Sequence, residues 1–193
     1  EKMRGSILLD AKADLLVYGM GELQVVEIAR RLAAGKTIAE CRDIHGVAYA
    51  LGMKETRPEA SETVIELPSL EECQADPLAF NRVTMLMYRE SNPSCGRTLT
   101  QRHGTRWVVQ NPAMRSLTTE EMDRLHELPY AGLAHPCYRQ PIPALESIKG
   151  SITVNRGCSG GCSFCALTIH QGKDVVSRST ESVLRELKQM TER

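Results

Sequence analysis

Cys158-Ser-Gly-Gly-Cys162-Ser-Phe-Cys165 is a Cys-x3-Cys-x2-Cys run near the C-terminal end of the chain. Three thiolates at these spacings, on a loop carrying Gly160 and Gly161, can converge on one inorganic centre. Glycine has no Cβ, so the loop can take positive φ and wrap tightly. Iron–sulfur clusters are held by cysteine thiolates, usually four of them. Three leave one position to fill. In zinc proteins an open position, occupied by water or substrate, separates catalytic from structural sites. The same logic makes a three-cysteine iron site a candidate enzyme centre.

The elements around the loop must hold it in place. Ser151-Ile-Thr-Val-Asn155 alternates as a strand and leads into Arg156-Gly157-Cys158. After Cys165 come Ala166–His170 and the polar Gln171-Gly-Lys173. Ser179 then reads as an N-cap with Glu181 in the first turn, and Val183, Leu184, Leu187 and Met190 form the apolar stripe of a last helix. The cysteines thus sit between a strand and its following helix, and in β/α barrels such loops build the active site.

The 193-residue chain has room for one or two domains, with 41% apolar and 25% charged residues, as in ordinary soluble globular proteins. Acidic and basic residues balance at 24 each, which argues against a dedicated nucleic-acid arm while leaving room for a local basic groove. No apolar run approaches the ~20 residues of a membrane span, and no signal-peptide core follows Glu1, so a cytoplasmic protein is expected. Seven cysteines, four scattered and three clustered, do not make a secreted disulfide scaffold. Scattered cysteines are usually small buried hydrophobes.

Upstream, Leu15–Tyr18 reads as a buried strand, followed by the turn Gly19-Met-Gly21 and a helix from Glu22. Leu23, Val26, Ile28, Ala29 and Leu32 form its expected buried face, and Gly35 ends it. The turn lacks a full GxGxxG, so its glycines are read as serving geometry rather than a phosphate. Ile44–Leu51 reads as a strand with a hairpin-like partner near Thr63–Leu67, and Ser69–Ser91 as helical, with Phe80, Val83, Met85, Leu86 and Met87 facing the core. A hairpin is expected about Gly104, with Trp107 in the core and Arg102, His103 and Arg106 on the solvated face. Thr118 opens another helix, and Pro129 to Pro143 reads as an extended connector. Within it, His135 is read as steadying a turn and Cys137 as a buried thiol rather than as ligands.

The cysteine run with Phe164 resembles the signature loop of the radical S-adenosylmethionine (radical SAM) superfamily. Leu16-Val-Tyr-Gly-Met-Gly-Glu22, Leu128-Pro-Tyr130, His135-Pro136, Ile142-Pro-Ala144, Arg156-Gly-Cys, Cys162-Ser-Phe-Cys-Ala166, His170-Gln-Gly172 and Ser177-Arg-Ser179 together resemble the YgiQ-type family of uncharacterised radical SAM proteins. Ser159 departs from that branch, which commonly has an aromatic there, and Ala131-Gly-Leu lacks an expected arginine. Neither position carries a thiolate.

The resemblance implies an α/β fold: a Rossmann-like or mixed α/β N-terminal domain over 1–128, a proline-rich connector over 129–150, and the start of a partial β/α barrel over 151–193. It also implies an internal fragment, inactive alone, whose residues for the methionyl and ribose groups lie beyond its end. Cys158, Cys162 and Cys165 would hold three irons of a 4Fe-4S cluster, and S-adenosylmethionine would take the fourth. Reductive cleavage then yields methionine and a 5′-deoxyadenosyl radical, with a flavodoxin or ferredoxin as electron donor. Phe164 is the candidate cofactor contact at the adenine. Arg156, His170, Lys173 and Arg178 are candidates for supporting or substrate roles, against a plain reading as solvated loop charges. The rival is a non-catalytic iron–sulfur or zinc module with Cys137 or His170 as fourth ligand, although only one Cys-x2-Cys pair is present. A second rival is a binding protein whose N-terminal βα region does the work. Neutral net charge selects no substrate among RNA, protein and small molecules.

Overall fold

The computed structural model describes residues 3–162 and 164–192. It divides into two compact units, Glu1–Arg115 with Gly160–Lys173, and Ser116–Ser159 with Asp174–Arg193.

The first unit is built on a five-stranded mixed sheet in the order β1-β2-β5-β4-β3. Its strands are β1 (Leu16–Val17), β2 (Val47–Ala50), β3 (Val64–Glu66), β4 (Thr98–His103) and β5 (Arg106–Gln110). The β4–β5 hairpin turns at Gly104, whose φ is +60°, and pairs Arg102 with Trp107 and His103 with Arg106. The expected pairing of Ile44–Leu51 with Thr63–Leu67 is corrected. β2 lies between β1 and β5, with Ala48 opposite both Leu16 and Gln110, whereas β3 pairs in parallel with β4. A parallel neighbour needs a crossover, supplied by the helices α3 (Leu70–Ala75) and α4 (Pro77–Glu90).

Those two helices replace the single helical stretch read from Ser69 to Ser91. Asp76 is extended and its carboxylate accepts from the Leu78 N–H, while Pro77 takes the first position of α4, where its missing N–H costs nothing. Ser69 caps α3 in a reciprocal box with Glu72. Val83 faces the cluster of Leu67, Cys73 and Leu99, with Leu86 packed alongside. Phe80, Met85 and Met87 are exposed, contrary to their expected core role.

A second cluster joins Cys41, Ile44 and Val47, with Leu15, Val17 and Ile28 against it. Before β1 lies a short helix, α1 (Ile7–Asp10), which buries Leu8, and after it α2 (Glu22–Ala33). Gly19 and Gly21 both take positive φ in the intervening turn. Val26 and Leu32 of α2 are exposed, so its buried face is narrower than its periodicity implied. Asn111 fastens the sheet. Its side-chain amide donates to the carbonyls of Arg42 (2.7 Å) and Ile44 (2.8 Å), and its own carbonyl accepts from the Tyr18 hydroxyl at 2.5 Å. Burial pushes the Tyr18 phenol up to about 12, so it stays a neutral donor. Trp107 is half-buried rather than core, with the Arg57 guanidinium 4.5 Å from its ring centroid.

The second unit holds α5 (Thr119–His126), α6 (Pro143–Ile148), a two-stranded antiparallel ladder of β6 (Asn155–Arg156) and β7 (Val176–Ser177), and α8 (Thr180–Thr191). Thr118 and Ser179 cap α5 and α8 as expected. The strand expected over Ser151–Asn155 is only Asn155–Arg156, and the connector is not extended throughout, since α6 begins at Pro143. Met122 is fully buried, whereas Leu184 and Leu187 of the α8 stripe are exposed. No helix of the described residues is long and apolar enough to cross a membrane.

Candidate iron–sulfur loop

The loop leaves β6 through Gly157 and returns at β7. Gly157 has φ +87°, and a Cβ there would fall 2.0 Å from the Asp174 carbonyl oxygen, which requires glycine at the loop's stem. Cys158 follows directly and is half-buried. Further along, the Cys165 N–H donates to the Cys162 carbonyl at 3.1 Å, placing these two cysteines on one turn, Cys162 exposed and Cys165 half-buried. Phe164, between them, is 90% exposed. A short helix, α7 (Leu167–Gln171), then buries Thr168.

The loop's later half belongs to the sheet unit. A Cβ on Gly161 would lie 3.7 Å from the Tyr88 hydroxyl, and the Lys173 ammonium sits 3.9 Å from the centroid of the same ring. Tyr88 of α4 therefore holds Lys173 and lies near Gly161, at the two ends of the segment that carries Cys162 and Cys165. A Cβ on Gly19 would meet the His170 carbonyl oxygen at 3.7 Å, so α7 lies beside the β1–α2 turn. Nothing in the sequence around Tyr88 marks it as a contact of this loop.

The seven thiols differ in exposure, with Cys95 and Cys137 exposed outside the loop. Cys41 and Cys73 are buried and point at backbone carbonyls, those of Thr37 (3.6 Å) and Pro68 (3.7 Å). Burial pushes the Cys73 thiol up, away from thiolate. Cys158 and Cys165 are half-buried and Cys162 is exposed, and thiols are the donor type that iron–sulfur clusters take. Among the described residues, no group of three or more His, Cys, Asp or Glu side chains is gathered as a metal site. Cys137 is exposed, not buried, and its N–H donates to His135 Nδ1 at 3.2 Å, a local turn contact.

Arg178 has a structural role. Its side chain is 1% exposed, with Nε and Nη2 donating to the Ser182 hydroxyl (3.2 and 2.8 Å), Nη2 also to the Ser182 carbonyl (3.0 Å), and Nη1 to the Thr153 carbonyl (3.1 Å) and Glu186. Lys173 is on Tyr88, His170 is exposed and Arg156 is half-buried.

Comparison with known proteins places this architecture. Residues 1–151 match the model of the radical SAM N-terminal family. The chain belongs to that family. Similar proteins include UPF0313 proteins from Methanosarcina acetivorans, 48% identical over all of this chain and 29% of the relative, and from Geobacter sulfurreducens, 47% identical over 98% of this chain and 31% of the relative. A putative UPF0313 protein from Yersinia pestis is 35% identical over the whole chain and 31% of its own length. The chain thus spans about 30% of the length of these curated relatives. No solved structure matches. The radical SAM N-terminal domain is mixed α/β here, and no barrel is formed by the described residues.

Proposed function

We propose that Cys158, Cys162 and Cys165 hold three irons of a 4Fe-4S cluster in a cytoplasmic radical SAM enzyme, leaving the fourth iron for S-adenosylmethionine. The observation that carries this reading is the contrast between thiols. Cys41 and Cys73 are buried and donate to carbonyls, while the three loop cysteines have solvent access and, unlike the scattered and exposed Cys95 and Cys137, lie within eight residues of one another. Membership of the radical SAM N-terminal family supports it, and a reducing compartment keeps such thiols free.

When bound, the cluster would supply the single electron that splits S-adenosylmethionine into methionine and a 5′-deoxyadenosyl radical. The chain's own part is positional. Gly157 lets the strand turn sharply into Cys158, and Tyr88 of α4 contacts the end of the loop through Lys173 and lies near Gly161. Phe164 offers an exposed ring for the adenine, and a flavodoxin or ferredoxin is the fitting electron donor.

Anaerobic reconstitution with iron and sulfide tests the assignment. The expected product shows a broad visible absorption and, once reduced, an electron paramagnetic resonance signal that shifts on adding S-adenosylmethionine. Replacing all three loop cysteines by alanine should abolish both, whereas Cys41→Ala should keep them. Zinc in place of iron, or a signal indifferent to S-adenosylmethionine, overturns the reading.

A further inference from the structure

A cavity of about 510 Å³ lies at the end of α1, against the turn after β2 and the start of β5. That volume is in the range of small-molecule sites. Its charged lining is Lys12, Arg42, Lys54 and Arg106 against Asp14 and Glu55, leaving positive charge in excess by two. Glu55 is already committed, accepting from Arg42 Nη1 at 2.8 Å and from the Gly52 N–H at 2.6 Å. Among the described residues neither Lys12 nor Lys54 has an ion-pair or hydrogen-bond partner for its ammonium, and both are exposed. Arg106 uses Nε on the Leu51 carbonyl at 3.4 Å, and Arg42 Nε is buried with no acceptor.

Lys12 adds an independent observation. It is the one non-glycine residue at positive φ (+52°) among the described residues. The chain leaves α1 there, with the Lys12 N–H donating to the Leu9 carbonyl and the Ala13 N–H to that of Leu8. Glycine ordinarily occupies such a helix exit because any Cβ is strained. A lysine held in that conformation, with its side chain on a cationic cavity, points to a use for its charge. The rest of the lining is apolar, including Leu8, Leu9 and Met53, and Met53 is exposed at the rim.

We propose that this cavity binds a small organic phosphate monoester of up to nucleotide size. A phosphate monoester carries nearly two negative charges at neutral pH, matching the excess of the lining. Lys12 and Lys54 provide point charges and Arg106 a planar fork for its oxygens. The organic body lies over Leu9 and Met53. The cavity is contained in Glu1–Arg115 and uses none of the loop cysteines, so it stands apart from the cluster assignment.

Isothermal titration of the whole protein with AMP, ribose 5-phosphate and inorganic phosphate tests the proposal. At least one ester should bind saturably, one per chain, and about tenfold or more tighter than inorganic phosphate. Replacing Lys12 and Lys54 together by alanine removes two unpaired exposed charges, should leave the fold intact by circular dichroism, and should weaken the ester by about tenfold or more. Lys188→Ala in α8 should change nothing. Failure of both esters to bind, binding untouched by the double substitution, or inorganic phosphate binding as tightly as the esters would each overturn it.

Discussion

Around the sheet, buried side chains are mostly apolar: Leu67, Cys73, Val83 and Leu99 in one cluster, Cys41, Ile44 and Val47 in another. In the unit carrying α5 and α8, the buried side chains among the described residues are Met122, Ser182 and Arg178. One region is held by area removed from water, the other largely by one guanidinium and its acceptors. Several apolar side chains of the second unit, among them Ile148, Val154, Leu184 and Leu187, are exposed. Burial of apolar surface tolerates small losses piecemeal. A buried charge does not, because removing one member strands the others in a poorly solvating interior.

The largest effect should therefore come from the smaller unit. Arg178→Met leaves Glu186 and the Thr153 carbonyl without their donor and should cost about 3–5 kcal/mol, read from urea denaturation. Leu99→Ala in the sheet cluster should cost about 3 kcal/mol by the same measurement. If Arg178→Met proves milder than Leu99→Ala, the contrast between a charge-centred and an area-centred interior fails.

The smallest effect concerns a charge within the sheet unit. The Glu90 side chain is only 4% exposed and accepts from Arg97 Nη2 (2.6 Å), Nε (3.2 Å) and the Arg97 N–H (2.9 Å). Its hydrogen bonds to the Arg97 side chain hold its carboxyl below the usual range. A lowered folded value means the stabilisation is present above the unfolded value of about 4.3 and is lost as pH falls through the folded one. Glu90→Gln should flatten the acid limb of the stability profile, and an unchanged limb would show that this pair contributes nothing measurable.

Local features were legible in the sequence because their causes are local. Thr118 and Ser179 cap helices with side chains a few residues from the amides they satisfy, and Gly104 turns a hairpin whose strands adjoin it. The Asp76-Pro77 break carried the same kind of signal, an N-cap followed by proline, but helical periodicity on both sides masked it. The partner of β2 was not legible. Alternation in Val47–Ala50 marks a strand, yet Ala48 pairs with Gln110 across the crossover helices, and nothing in four residues encodes that choice. Stripes misled in a related way. They say which side of a helix is apolar, not what covers it, so Phe80, Met85 and Leu184 were expected inside and are exposed. At the candidate site, the cysteine spacing suggested metal chemistry, while the described residues gather no metal site. Arg178 was not legible as a structural centre, since a single arginine before an N-cap has no periodic signature, and Tyr88 lies too far along the chain to be linked to the loop.

The β6–β7 ladder closes the ends of the cysteine loop onto each other, Asn155 opposite Ser177 and Arg156 opposite Val176. In polymer terms the closure entropy is charged to the ladder, and for a flexible loop it rises only by about 0.6 kcal/mol for each doubling of length. That rule holds for flexible chain, so a residue added within α7 would instead disturb the buried Thr168 and the Lys173–Tyr88 contact, whereas one added between Cys158 and Cys165 would change the geometry of the proposed cluster loop. Chain length before Cys165 therefore bears on the proposed coordination, and chain length after it on the packing of α7.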